Sequence, residues 1–329
     1  MAGASVGSEL PFIRALPPFF LVGLMIYVIT HEAGHCIAGA LMGWRCVRLG
    51  IGPFELLRHA RGWTVRRGRI WGWHAAFVGQ VPPGFSNYRR EKTLTLLGGS
   101  ASSVVFGLAF IAAAFNASNA LLQEFFACSG ILALFGVFEV VIGSDGVNLR
   151  QVLRGGTPVD DLIRDSLSEA SEFTPLRPRD WPRDVVLRLA EREDPYCHYL
   201  AYVHWLDAGD TAAAAPHIQE LIAFLSGMAP VRFVGMPPEM NSTNACEAAY
   251  WLAEYAGDAI AARHWFERAG PDADPMACTR ATAALALAEG KSEHAERVIK
   301  QGLAQIPLPS SGSAKFEFDR LSYLLAKIG

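Results

Sequence analysis

Two histidines and a glutamate lie inside a stretch that otherwise has the composition of a membrane helix. Residues 18–44 (PFFLVGLMIYVITHEAGHCIAGALMGW) are apolar or small except for His31, Glu32 and His35. An ionisable side chain at the centre of a bilayer costs about 3 kcal/mol on insertion scales. Three of them within five positions therefore point to function. Their order is HExxH: His31 and His35 share one helix face, and Glu32 adjoins them.

Two more segments are long enough to span a bilayer, which takes about 20 apolar residues. Residues 93–115 carry no charge and are rich in Gly, Ala and Ser between Gly98 and Gly107. Small residues let helices approach closely where lipid offers no hydrophobic drive, so this segment is expected to pack tightly on the first. Residues 125–143 hold one acid, Glu139, with Glu124 placed in the connector before them. The alternative is three buried helices of a soluble protein, which the length and scarcity of charge disfavour. The N-terminus lacks a basic leader region, so no signal peptide is expected.

Charge divides the chain. Residues 1–149 hold 11 Lys+Arg and 7 Asp+Glu, leaving 18 and 25 for the rest. An apolar membrane part, 1–153, is thus expected to precede a linker, 154–184, and a soluble acidic domain, 185–329. Ten of the 11 basic residues lie in the loop 45–92. By the positive-inside rule that loop, and everything after the third span, is cytoplasmic, in a multi-pass cell-membrane protein. Tied to the membrane at both ends, the basic loop is a poor nucleic-acid site. Its alternation predicts a short β-hairpin turning at Arg61–Gly62, with Trp63, Trp71 and Trp73 at the headgroup level. The six cysteines form no CxxC pair, which argues against a disulfide framework or a Cys-ligated metal and for a reducing compartment around the tail.

The tail reads as helical, with proline-rich punctuation at 174–182, 271–275 and 307–309. Leu252, Gly257, Ala262 and Phe266 recur 33 residues later as Leu285, Gly290, Ala295 and Ile299, and a looser copy surrounds Gly209. That period is close to the tetratricopeptide repeat and predicts a tetratricopeptide-like α-solenoid, a fold that commonly binds a protein partner.

A catalytic zinc site takes three protein ligands and keeps one position open. His31 and His35 supply two, and Glu32 is placed to take a proton from the attacking water. The third ligand is expected to be Asp145, the sole Asp in the first 149 residues, followed by Gly146 at the cytoplasmic end of the third span. His35 lies nine residues before Trp44, so all three meet in the cytoplasmic half of the bilayer. The alternatives are histidines satisfied by interhelical hydrogen bonds and an Asp145 that caps the following helix.

HEAGH in the first helix, GIGP (50–53) after it, a small-residue second helix and Asp145–Gly146 after the third together resemble the site-2 protease family over residues 18–153. The resemblance implies a membrane-embedded Zn2+ metallopeptidase with a three-helix core that cleaves a transmembrane segment of a protein substrate. It also implies His31, His35 and Asp145 as ligands and Glu32 as general base. Two features depart from the family's pattern. Ser103 stands where an oxyanion-stabilising Asn is expected, and Glu139 precedes the DG without the usual Asn and Pro. Three readings of Glu139 stay open: a group that supports the metal ligands, a proton carrier, or a residue at a water-filled groove. The competing functions are an inactive relative that holds membrane proteins through its tail, and a membrane-anchored repeat scaffold in which the motif is structural.

Overall fold

The computed structural model describes residues 10–51, 54–59, 62–67, 76–227, 238–306 and 311–329. It is mostly helical and divides into two compact units at Ser166/Leu167. Trp71, Trp73, Arg61, Gly52, Pro53 and the prolines at 307 and 309 lie outside the described residues.

The first unit opens with α1 (Leu10–Leu41). The helix ends where Gly43 turns left-handed (φ +81°), and Trp44 N–H returns to the Gly39 carbonyl at 2.8 Å. Four strands follow: β1 (Arg45–Ile51), β2 (Phe54–His59), β3 (Gly62–Arg67) and β4 (Ala76–Val81). They form one antiparallel sheet in the order β3-β2-β1-β4. This corrects the single hairpin expected from the sequence. FELLRH does not alternate cleanly, so β2 escaped notice. It is held by pairing on both sides, Leu57 opposite Arg48 and Thr64. Trp63 is exposed.

Next come α2 (Tyr88–Asn116), α3 (Ala120–Phe135), α4 (Val137–Ile142) and α5 (Ser144–Arg154). Three stretches, Phe19–Leu41, Tyr88–Asn116 and Ala120–Arg154, are long and apolar enough to cross a membrane. The third is longer than the sequence suggested and is broken into α3, α4 and α5. Glu124 lies inside α3 rather than in a connector, because Asn119 caps that helix by accepting the Leu121 N–H at 2.8 Å.

Polarity in the three spans is inverted. Met25, Ile37, Val105, Phe106, Leu108 and Ile142 face outward, while His31, His35, Ser100, Ser103 and Asp145 are buried. That is the distribution of a protein solvated by acyl chains. α1 and α2 touch through glycines. A Cβ on Gly98 would lie 2.5 Å from the Ala38 methyl and 2.6 Å from the Gly34 carbonyl oxygen.

Residues 154–184, expected as a linker, contain the 17-residue helix α6 (Thr157–Phe173). Its apolar positions Val159, Ile163, Leu167 and Ala170 are buried at helical spacing, which a polar composition masked.

The second unit holds α7 (Arg183–Ala190), α8 (Pro195–Ala208), α9 (Thr211–Gly227) and α10 (Pro238–Trp251), the last prolonged by a π turn at Leu252–Ala256. α11 (Ala259–Arg268), α12 (Pro275–Ala288), α13 (Ser292–Gln305) and α14 (Gly312–Ala326) complete it. Three helix–turn–helix pairs share one device. Gly209, Gly257 and Gly290 are left-handed (φ +80°, +68° and +74°), and the alanine five residues after each, at 214, 262 and 295, is fully buried. Phe266 is only half-buried; its neighbour Trp265 enters the core instead.

Candidate metal centre

α1 carries His31 and His35 one turn apart, and α5 brings Asp145 to them at its second residue. His31 is 5%, His35 7% and Asp145 9% exposed. Asp145 Oδ2 lies 3.0 Å from His31 Nε2 and 3.0 Å from His35 Nε2, and the two Nε2 atoms are 3.3 Å apart. Asp145 does not cap α5: Glu139 receives the Ser144 N–H there.

The proton positions on the rings follow from their other nitrogens. His35 Nδ1 is 2.8 Å from the Thr95 carbonyl oxygen, which only accepts, so Nδ1 carries the hydrogen. Ser103 donates its hydroxyl to the Gly99 carbonyl at 3.0 Å and therefore accepts from His31 Nδ1, also at 3.0 Å. In the neutral imidazoles both Nε2 atoms are then bare lone pairs, and they face each other and a carboxylate oxygen. Among the described residues Asp145 pairs with no lysine or arginine. Three electron-pair donors at this separation repel unless a cation lies between them. Donors around a tetrahedral zinc at about 2.0–2.1 Å stand about 3.3–3.4 Å apart; the edges here are 3.3 Å between the imidazoles and 3.0 Å from each to Asp145. Two imidazoles and one carboxylate are also a donor set of the kind zinc takes in hydrolytic sites, so the residues fit the ion.

Glu32 is half-buried, and one of its carboxylate oxygens lies within 4.8 Å of a ring nitrogen of both histidines. His31, Glu32 and His35 together are a group that could hold a metal ion, and Asp145 adds a second carboxylate beside the same two imidazoles.

Several supporting groups were not legible in the sequence. Thr95 contributes a backbone carbonyl, which leaves no side-chain signature. Gln80 Nε2, on β4, donates to the His35 carbonyl at 2.7 Å and ties the sheet to the site. A Cβ on Gly99 would lie 2.5 Å from His35 Cε1 and 2.9 Å from His31 Cε1, so only glycine admits the rings. Ser103, expected in place of an oxyanion-stabilising Asn, is fully buried with its hydroxyl hydrogen spent on Gly99. It holds His31 and has no donor left for an oxyanion. All six cysteines are free thiols.

The sequence profile of Peptidase family M50 matches residues 19–306. The chain belongs to this family, the site-2 protease family of zinc-dependent membrane metallopeptidases. No curated protein matches the chain. No solved structure matches it either.

Proposed function

We propose that this protein is an intramembrane zinc metalloprotease that cleaves a transmembrane segment of a membrane-protein substrate. The observation carrying this reading is the convergence of His31 Nε2, His35 Nε2 and Asp145 Oδ2 at membrane depth with Glu32 alongside. In this reading His31, His35 and Asp145 hold Zn2+, which when bound polarises a scissile carbonyl and lowers the pKa of water to near 7. Glu32 takes the proton of the attacking water and returns it to the leaving amine. His31 is held by Ser103, and His35 by Thr95 and Gln80, so both rings meet the reaction already oriented. The substrate helix must open locally first, because its carbonyls are engaged in intrahelical bonds. A Gly or Pro in that helix favours cleavage.

The same reading assigns the catalytic core to residues 1–153 and a partner-binding region to 185–329. The repeated αL glycine and buried alanine support a tetratricopeptide-like stack that presents a surface for a protein partner. The ten basic residues between 45 and 92 support a cytoplasmic tail in a multi-pass cell-membrane protein. An inactive membrane-anchored scaffold has no use for a base beside three converging donors and is the weaker alternative.

The test is cleavage of a single-span reporter with a glycine-containing transmembrane segment, co-reconstituted in vesicles with wild type or Glu32→Gln. Cleavage by wild type and its loss in Glu32→Gln are expected. Equal product from both proteins would overturn the protease reading.

A further inference from the structure

Glu139 is an acid of the membrane unit that the mechanism leaves unused. Its surroundings are set by the break between α4 and α5. At that break Gly143 is extended (φ −86°, ψ −169°). A break in an apolar span frees donors at the start of one helix and acceptors at the end of the other. Away from water each unsatisfied group costs several kcal/mol.

Two charged side chains take up these groups. Glu139 Oε1 accepts the Ser144 N–H at 2.9 Å and faces the Ser144 hydroxyl, which donates to it at 3.2 Å. Arg150 Nη1 donates to the Val141 carbonyl at 2.7 Å. Gly143 supplies the room, since a Cβ there would overlap the Glu139 carboxyl group. Gly146 lets the chain fold back, since a Cβ there would overlap the Val140 carbonyl. Ser144, the residue Glu139 holds, immediately precedes Asp145.

We propose that Glu139 is a positioning residue for the metal centre. Its carboxylate reaches back over Gly143 and caps α5. That fixes the direction in which α5 leaves the break, and so holds Asp145 Oδ2 at 3.0 Å from both imidazoles. Glu139 acts through the backbone of Ser144 and touches no reacting atom. The inference rests on Asp145 being the third ligand.

The experiment measures zinc affinity of the full-length protein in nanodiscs by competition with a chromogenic chelator. Loss of an outer-shell partner weakens metal binding by about 10–100-fold, and Glu139→Ala is expected in that range. Glu139→Gln is expected to stay within a few-fold of wild type, because its amide oxygen accepts the same two bonds. Gly143→Ala keeps Glu139 but fills the space its carboxylate needs, and is expected to match Glu139→Ala. It carries the test if Glu139→Ala does not insert. Wild-type affinity in Glu139→Ala or Gly143→Ala, alongside zinc loss in Asp145→Ala, would overturn the role of Glu139 alone. So would a Glu139→Gln protein as weak as Glu139→Ala. Wild-type affinity in Asp145→Ala would instead overturn the ligand assignment beneath it.

Discussion

Each unit of this protein buries a cluster of ionisable groups, and the two clusters are built on opposite plans. In the unit after Leu167, Arg280 is fully buried and donates to Glu247 and to Glu317, the latter at 2.5 Å, while stacking over Tyr250 and Phe316. Arg177 donates to Asp207 and, at 2.6 Å, to Asp319. Each of these four carboxylates meets an arginine supplied by the chain. In the membrane unit, His31, His35 and Asp145 converge with lone pairs facing one another and, among the described residues, no arginine or lysine to neutralise them. A closed cluster is architecture. An open one marks the place where the protein needs something from outside itself.

The largest expected effect tests the open cluster. Glu32→Gln should lower cleavage by about 10²–10⁴-fold, the usual share of a general base, while leaving zinc content unchanged. Zinc loss in that variant would move Glu32 into the donor set and erase the distinction between base and ligand.

The closed cluster is tested by Arg280→Met, which leaves Glu247 and Glu317 buried without their cation. Breaking a buried pair in this way costs about 3–5 kcal/mol. Hydrogen exchange in α10, α12 and α14 should rise sharply while zinc affinity stays at the wild-type level. Unchanged exchange would mean the cluster is not architectural.

A smaller effect is expected where the membrane helices touch. Gly98→Val forces side-chain atoms against Ala38 and the Gly34 carbonyl, an overpacking that costs about 1–3 kcal/mol. A lower melting temperature with weakened zinc binding is expected, because Gly99 and Thr95 on the same helix abut His35.

The last effect is a pH dependence. Burial, opposed by Arg280, pushes the Glu317 carboxyl up to about 7 from its ordinary 4.5. Between those values the folded state holds a proton that the unfolded chain has released. Stability of this unit therefore falls as pH rises from about 4.5 to about 7. Glu317→Gln should flatten that slope in exchange measurements on α14. An unaltered slope would assign it to another group.

The sequence exposed the open cluster far better than the closed one. HExxH inside an apolar run is visible because polar residues there are costly, and Asp145 stood out as a lone Asp at the matching depth. Gly98–Ser103 announced a close helix contact by composition alone. Ser103's partner was not legible, because a serine's role depends on which group packs against it. Neither was Thr95, which acts through its backbone, nor β2, whose pairing lies on both flanks rather than in its own pattern. Arg280, Glu247 and Glu317 are scattered over 71 positions of a charged helical tail. Nothing in such a sequence separates a buried arginine from a solvated one.

The central claim is that two imidazoles and the Asp145 carboxylate grip one ion. X-ray absorption at the zinc edge of the metal-loaded, full-length protein tests it most directly. The spectrum should show two imidazoles and oxygen donors, with one oxygen scatterer changed in Asp145→Ala. A sulfur shell, a single imidazole, or a spectrum untouched by Asp145→Ala would contradict it.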